Sequence, residues 1–166
     1  MTGSGDTGLS DTGVSDTGTR RRVVVGVDDS EPARHALQWA QFMALTLDAD
    51  IEAIAAWEIS AVEAGEWSDD IHPEQETSAQ LQSIVAGALG EPRVTIREII
   101  SHGRAADELI EASKGAQMLV VGTRGHGGLH DLLLGSVSSA STARAHCPVL
   151  VIHEDTPPPP PGPAAG

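Results

Sequence analysis

The feature that most constrains this chain is its alternation of short apolar runs with longer segments of helical periodicity. Residues 22–27, Arg-Val-Val-Val-Gly-Val, form a continuous β-branched run, the pattern of a strand buried on both faces rather than one with a wet side. Ser30 follows as an N-cap, and Ala33, Ala36, Leu37, Ala40, Met43, Ala44 and Leu47 share one stripe of a helix ending near Leu47. A second strand is expected over Ile51 to Trp57, and a third over Val94 to Ile100, after a helix from Thr77 to Leu89 closed by Gly90 and Pro92. A short helix over Ala105 to Ser113, stopped by Gly115, precedes a fourth strand at Met118 to Val121. A helix capped by Ser136 and reaching His146 then leads to a fifth strand at Pro148 to Ile152. This repetition predicts the α/β class: a mostly parallel sheet with helices on both faces. Sheets of that kind bind ligands beyond the strand C-termini, where the winding reverses direction.

The ends of the chain read differently. Residues 5–19 repeat a five-residue unit, GDTGL, SDTGV, SDTGT, with too little apolar surface to offset the entropy of ordering. Residues 1–20 are therefore expected to be a disordered tail and 21–153 the folded domain. Residues 154–166, with prolines from Pro157 to Pro161, read as an extended solvated tail, a proline-motif ligand being the alternative. Residues 58–76 are irregular and acidic, either a lid or variable surface.

Composition excludes several function classes. A net charge of −14 opposes capture of DNA, RNA or anionic lipid. No apolar stretch reaches the length a membrane span needs, and the N-terminus lacks the apolar region of a secretory signal. The single Cys147 permits no internal disulfide and fits a reducing cytoplasm. With no tyrosine and one phenylalanine, Phe42, the core must be aliphatic.

Chemistry concentrates after the fourth apolar run, in Gly122-Thr-Arg-Gly125, nine residues, then Gly135-Ser136. Glycine lets backbone N–H groups approach an anion and lets φ turn positive. A serine opening the next helix adds that helix's first amides and positive dipole end. The pattern suggests a nucleotide phosphate site, with a plain glycine-containing surface loop as the alternative. Asp28 leaves the first strand and meets the same crevice if the first and fourth strands are neighbours. The alternative is that Asp28 helps cap the first helix, where the dipole favours a carboxylate; Ser30 is the better cap, which would free Asp28 to face that crevice. Arg124 is the one cation inside the loop and reads equally as a phosphate contact or an exposed loop arginine.

These residues resemble the universal stress protein family. The similarity covers nearly all of 21–153 and rests on three motifs. They are Gly26-Val-Asp28-x-Ser30, Gly122-x-x-Gly125-x9-Gly135-Ser136, and Cys147-Pro148-Val149-Leu150-Val151-Ile152. The glycine spacing matches the nucleotide-binding branch. The resemblance implies strand order 3-2-1-4-5, a homodimer through the fifth strand (Val149 to Ile152), and binding of ATP with Mg²⁺ or Mn²⁺. It implies that Asp28 contacts adenosine and that the Ala56 backbone meets the adenine edge. Gly122, Gly125, Gly135, Ser136 and Val137 would surround ribose and phosphates. One departure is Asp29, where the family usually has glycine. Aspartate tolerates turn conformations, so the turn can survive; the alternative is that a second carboxylate weakens binding or recruits the metal.

Other chemistry finds little support. His126 and His130 lie four apart beside Asp131, but Gly127-Gly128 argues against a helix and hence against a metal site. Cys147 reads as a small buried hydrophobe rather than a reactive thiol. Trp39, Trp57 and Trp67 lack basic neighbours, so base stacking explains them poorly, and Trp39 is expected to pack at the edge of the helix stripe. No G-x-x-x-x-G-K-[ST], G-x-G-x-x-G or G-x-S-x-G motif is present. The expectation is an ATP-binding regulatory module in stress response with little or no hydrolysis and no catalytic residues. The alternatives are a cAMP-binding module, a slow ATPase or autophosphorylating protein, and a dimer with a vestigial pocket.

Overall fold

Three consecutive valines, Val23 to Val25, are wholly buried at the centre of the sheet in β1 (Arg22–Gly26). The computed structural model describes residues 20–58, 72–123 and 134–161. From β1 the chain continues through α1 (Glu31–Leu47), β2 (Asp50–Trp57), α2 (Pro73–Leu89), β3 (Ile96–His102) and α3 (Ala105–Ala112). It closes with β4 (Met118–Gly122), α4 (Ser136–Arg144) and β5 (Val149–Ile152). The five strands are parallel throughout, in the order β3-β2-β1-β4-β5. This is the expected architecture, and β1 and β4 are indeed neighbours, pairing Val23 with Met118 and Val25 with Val120.

Strand alternation divides the core into two layers. Val23, Val25, Ile51, Ala53, Ala55 and Val120 face α1 and α2, where Ala36, Leu37, Ala40, Leu81 and Val85 meet them. Val24, Ile54, Leu119 and Val121 face Leu109 of α3 and Val137 of α4. Burying Leu37, Ile51, Leu81 and Leu119 contributes about 1.5–3 kcal/mol each. Truncating Ile51 to alanine would cost about 2–5 kcal/mol, because the rigid sheet collapses poorly around the void. The alanines of α1 let that helix lie close against β1 and β4. No helix among the described residues is long and apolar enough to cross a membrane.

Several element boundaries differ from the sequence reading. Helix α2 starts at Pro73 rather than Thr77; proline fixes φ for the first turn, where its missing N–H is no loss. Strand β3 runs from Ile96 to His102, shifted two residues late, because it follows β2 in register as far as Trp57 opposite His102. Helix α4 ends at Arg144, short of His146. The repeats before residue 20 and residues 59–71, including Trp67, lie outside the described residues. Of the tail read over 154–166, residues 162–166 lie outside the described residues; before them, the Pro157 carbonyl accepts a hydrogen bond from Trp39 Nε1 at 3.1 Å, so the chain touches the fold there.

Candidate functional site

Register carries the candidate site. Gly26 lies opposite Ile54, and Val25 opposite Val120. Continuing both ladders by parallel pairing sets Asp28 level with Ala56 on one side and Thr123 on the other. Two strand spacings separate these flanks, about 10 Å of carboxyl edge. The β1–β2 ladder ends with Val27 N–H donating to Ile54 at 2.9 Å, while Trp57 accepts from Gly103 across β3 at 2.9 Å. Alternation along β2 therefore turns the main-chain groups of Ala56 toward β1, beside the point where β1 departs at Asp28. A half-buried alanine leaves that backbone approachable.

The β1 exit is a tight polar turn. Asp28 Oδ1 accepts from the Ser30 N–H at 3.2 Å and from the Ser30 hydroxyl, while Ser30 Oγ accepts from Ala33 N–H at 3.3 Å. Ser30 is the N-cap of α1, as expected. The expectation that this frees Asp28 needs correction, since the carboxylate orients the capping hydroxyl. Short carboxylates commonly bond the backbone two residues on, and the cap holds this one in place. Asp29 is paired with the helix that follows it: Arg34 reaches it at 2.5 Å and approaches Glu31 at 3.9 Å. The departure from the family pattern thus brings a compensating cation with it.

The β4 exit is stapled to α4. Thr123, 4% exposed, donates its N–H to Ile152 at 2.8 Å and accepts from Gly135 N–H at 2.7 Å. Ser138 Oγ bonds the Gly122 carbonyl and lies 3.2 Å from the Thr123 carbonyl. These bonds hold the start of α4 over the end of β4. The N-cap is Gly135, in extended conformation and with no side-chain cap bond, and Ser136 is the first helical residue and exposed. The expected Ser136 cap is therefore corrected: the Gly135–Thr123 bond fixes Gly135 at that position, and its amide is spent within the protein. The amides of Ser136, Val137 and Ser138 remain as first-turn donors without intrahelical acceptors.

Gly122 also has a different explanation from the one its motif suggested. Its φ is not positive; among the described residues the positive-φ glycines are Gly90, Gly103 and Gly115. A Cβ at Gly122 would sit 2.8 Å from Pro32 Cβ and 3.0 Å from the Pro32 carbonyl carbon. Glycine here is what lets the first turn of α1 pack on β4, which brings the Asp28 turn and the α4 N-terminus to one edge.

Thus Asp28, Ala56, Gly122, Gly135, Ser136 and Val137 gather at the carboxyl edge of β2, β1 and β4. Arg124 and Gly125, like His126, His130 and Asp131, lie outside the described residues. Thr123, Ser138 and Arg34 were missed. A serine inside a first turn, where it is a poor helix former, was the available signal for Ser138. Among the described residues no group of three His, Cys, Asp or Glu side chains is placed to hold a metal. Trp57 pairs with His102, ring centroids 4.4 Å apart, at the ends of β2 and β3. Cys147 is half-buried among the α3–α4 layer, and burial pushes its thiol pKa up, opposed by a Leu119 backbone hydrogen bond and by Arg22.

Known proteins share this fold. The profile of the universal stress protein family matches residues 19–153. A universal stress protein of Mycolicibacterium smegmatis is 38% identical over 145 residues, covering 82% of this chain and 49% of its own length. The chain spans about half the length of the curated relatives it matches. A solved universal stress protein in complex with cAMP is 25% identical, with a TM-score of 0.59 over 82% of this chain and 98% of that one. The Archaeoglobus fulgidus universal stress protein in complex with dAMP is 22% identical, with a TM-score of 0.57 over 80% and 97%. Sheet order, the Asp28 turn and the stapled β4–α4 corner together with these matches lead to one conclusion: the chain belongs to the universal stress protein family.

Proposed function

We propose that this chain is an ATP-binding regulatory module of stress response, whose nucleotide changes conformation or partner affinity rather than being consumed. The observation carrying this reading is that β1 lies between β2 and β4, so that its exit at Asp28 is flanked by the ends of those strands, while Ser138 and Gly135 bind the start of α4 to Gly122 and Thr123. Adenosine would lie between Ala56 and Asp28, and the phosphates would take the Ser136–Ser138 amides and the positive end of α4. That binding mode suits a protein of net charge −14, since local dipoles rather than overall field must hold the anion. The donor set does not form a metal cage. Asp29 is paired with Arg34, and Asp28 with Ser30. Mg²⁺ or Mn²⁺ would therefore arrive on the phosphate chain and neutralise it, and the protein would supply the amides around it. Titration calorimetry with Mg-ATP is expected to give saturable binding; a folded protein giving no heat would refute the reading.

A second ligand, cAMP, is favoured by the solved relative in complex with it and by the smaller charge it brings to an acidic chain. Competition between cAMP and ATP distinguishes the two. Hydrolysis is proposed to be slow or absent, and many turnovers per hour lost in Asp28→Ala would overturn that. A homodimer through β5, in the cytoplasm, completes the proposal. The side chains of Val149, Leu150 and Val151 are only half-buried on an edge strand, which wants covering. Sedimentation of wild type against Val151→Lys tests it.

A further inference from the structure

The proline run after β5 leaves a contact that nucleotide binding does not explain. Beyond Ile152, Thr156 N–H donates to the His153 carbonyl at 3.0 Å, and His153 N–H donates to Thr156 Oγ1 at 3.0 Å. This reciprocal turn carries the chain from the sheet edge onto α1. There Trp39 Nε1 donates to the Pro157 carbonyl at 3.1 Å, across 118 residues of sequence. Trp39 stands edge-on to Phe42, with ring centroids 5.7 Å apart and planes at 79°. Phe42 is the chain's single phenylalanine, and the two rings are half-buried. Thr156 and Pro159 are half-buried as well, whereas Pro157, Pro158, Pro160 and Pro161 are exposed.

The chemistry of the two sides is complementary. A proline run has carbonyls but no N–H groups, so it offers only acceptors and cannot join a sheet. The indole N–H is donor-only, and its ring supplies flat apolar area beside it. Aromatic surfaces with such a donor are how extended proline segments are recognised generally, because the segment is already stiff and loses little entropy on docking. We propose that the Trp39–Phe42 face of α1 is a proline-recognition surface, and that the chain's own Pro157–Pro161 run occupies it in cis as a strap held by the His153–Thr156 turn. Tethering a few residues from Ile152 gives the strap an effective concentration on the order of millimolar or more. It therefore stays docked through a contact that a free peptide makes only at a comparable concentration.

The test follows the Trp39 indole N–H by hydrogen exchange in ¹⁵N-labelled full chain, its signal assigned with Trp39→Phe. A second full-length chain replaces residues 157–161 by alternating serine and glycine, with circular dichroism as the folding control. The replacement keeps a main-chain carbonyl at 157 but loses the stiffness that makes docking cheap, so the strap undocks and exchange of the Trp39 indole is expected to speed by about fivefold, leaving Trp57 unchanged. Adding a peptide of residues 153–161 to the substituted chain should restore protection in a saturable way. Equal exchange in both chains would overturn the proposal. Protection that disappears on dilution would also overturn it, since the occupant would then be the tail of a second copy.

Discussion

Replacing Gly122 with alanine separates packing from ligand contact at the most suggestive position of the motif. The added Cβ meets Pro32 Cβ at 2.8 Å and the Pro32 carbonyl carbon at 3.0 Å, with Ala33 N at 3.3 Å. Ordinary carbon contacts begin near 3.5 Å, so the first turn of α1 must retreat from β4 by about 0.7 Å. Neither Pro32 atom belongs to a flexible side chain, and α1 is clamped by buried Ala33, Ala36, Leu37 and Ala40. Overpacking of this kind costs about 1–3 kcal/mol, a fall in Tm of about 3–12 °C. Gly87 is the matched control. It lies in α2, and a Cβ there meets nothing within 4 Å. Gly87→Ala is expected to stabilise by about 0.5–1 kcal/mol, because alanine loses less backbone entropy in a helix. Thermal melts followed by far-UV circular dichroism, backed by urea titrations with unchanged m, give both signs in one experiment. A Tm for Gly122→Ala within a degree of wild type would refute the packing argument and return Gly122 to a purely ligand-facing role.

Ser138→Ala removes the hydroxyl that bonds the Gly122 and Thr123 carbonyls; the expected loss is about 1–3 kcal/mol in urea unfolding, with weaker ATP binding by calorimetry as α4 loosens. Asp29→Asn releases Arg34 from a pair whose side chains are 37% and 43% exposed, so stability should move by less than about 1 kcal/mol, while ATP affinity rises several-fold; unchanged or weaker affinity would count against phosphates near this turn. Burial raises the Cys147 thiol pKa, so its alkylation by iodoacetamide should be slow at pH 8 and reach half-maximal rate above the ordinary thiol pKa. The same shift makes the native state hold its proton more tightly. Its contribution to stability is therefore full below the unfolded thiol pKa and lost as pH rises through the folded one, measurable as a declining urea midpoint in alkaline buffer.

Much of the fold was legible because periodicity is local. Val23 to Val25 announce a strand covered on both faces, and the α1 stripe from Ala33 to Leu47 names the surface that covers it. The Ser30 cap is equally local, since its bond to Ala33 spans one turn. Boundaries failed where pairing outranked composition, as in β3, which follows β2 to His102 instead of ending with its last isoleucine. The candidate site was half legible. Its residue types were visible, but the roles of Gly122, Gly135 and Ser136 were not, because each depends on what the fold presses against it.

By itself, then, the sequence determined which segments are strands and helices, which faces they bury, and that small residues and a carboxylate stand at strand ends. Tertiary structure decided what those residues touch. It made Gly122 a seat for Pro32, gave the β4 corner to Ser138, 16 residues away, turned Arg34 onto Asp29, and carried the proline run back to Trp39. The physical reason is one of range. Backbone preference and hydrophobic period act over a few neighbours, whereas contact between distant residues exists only once the sheet order brings their elements together.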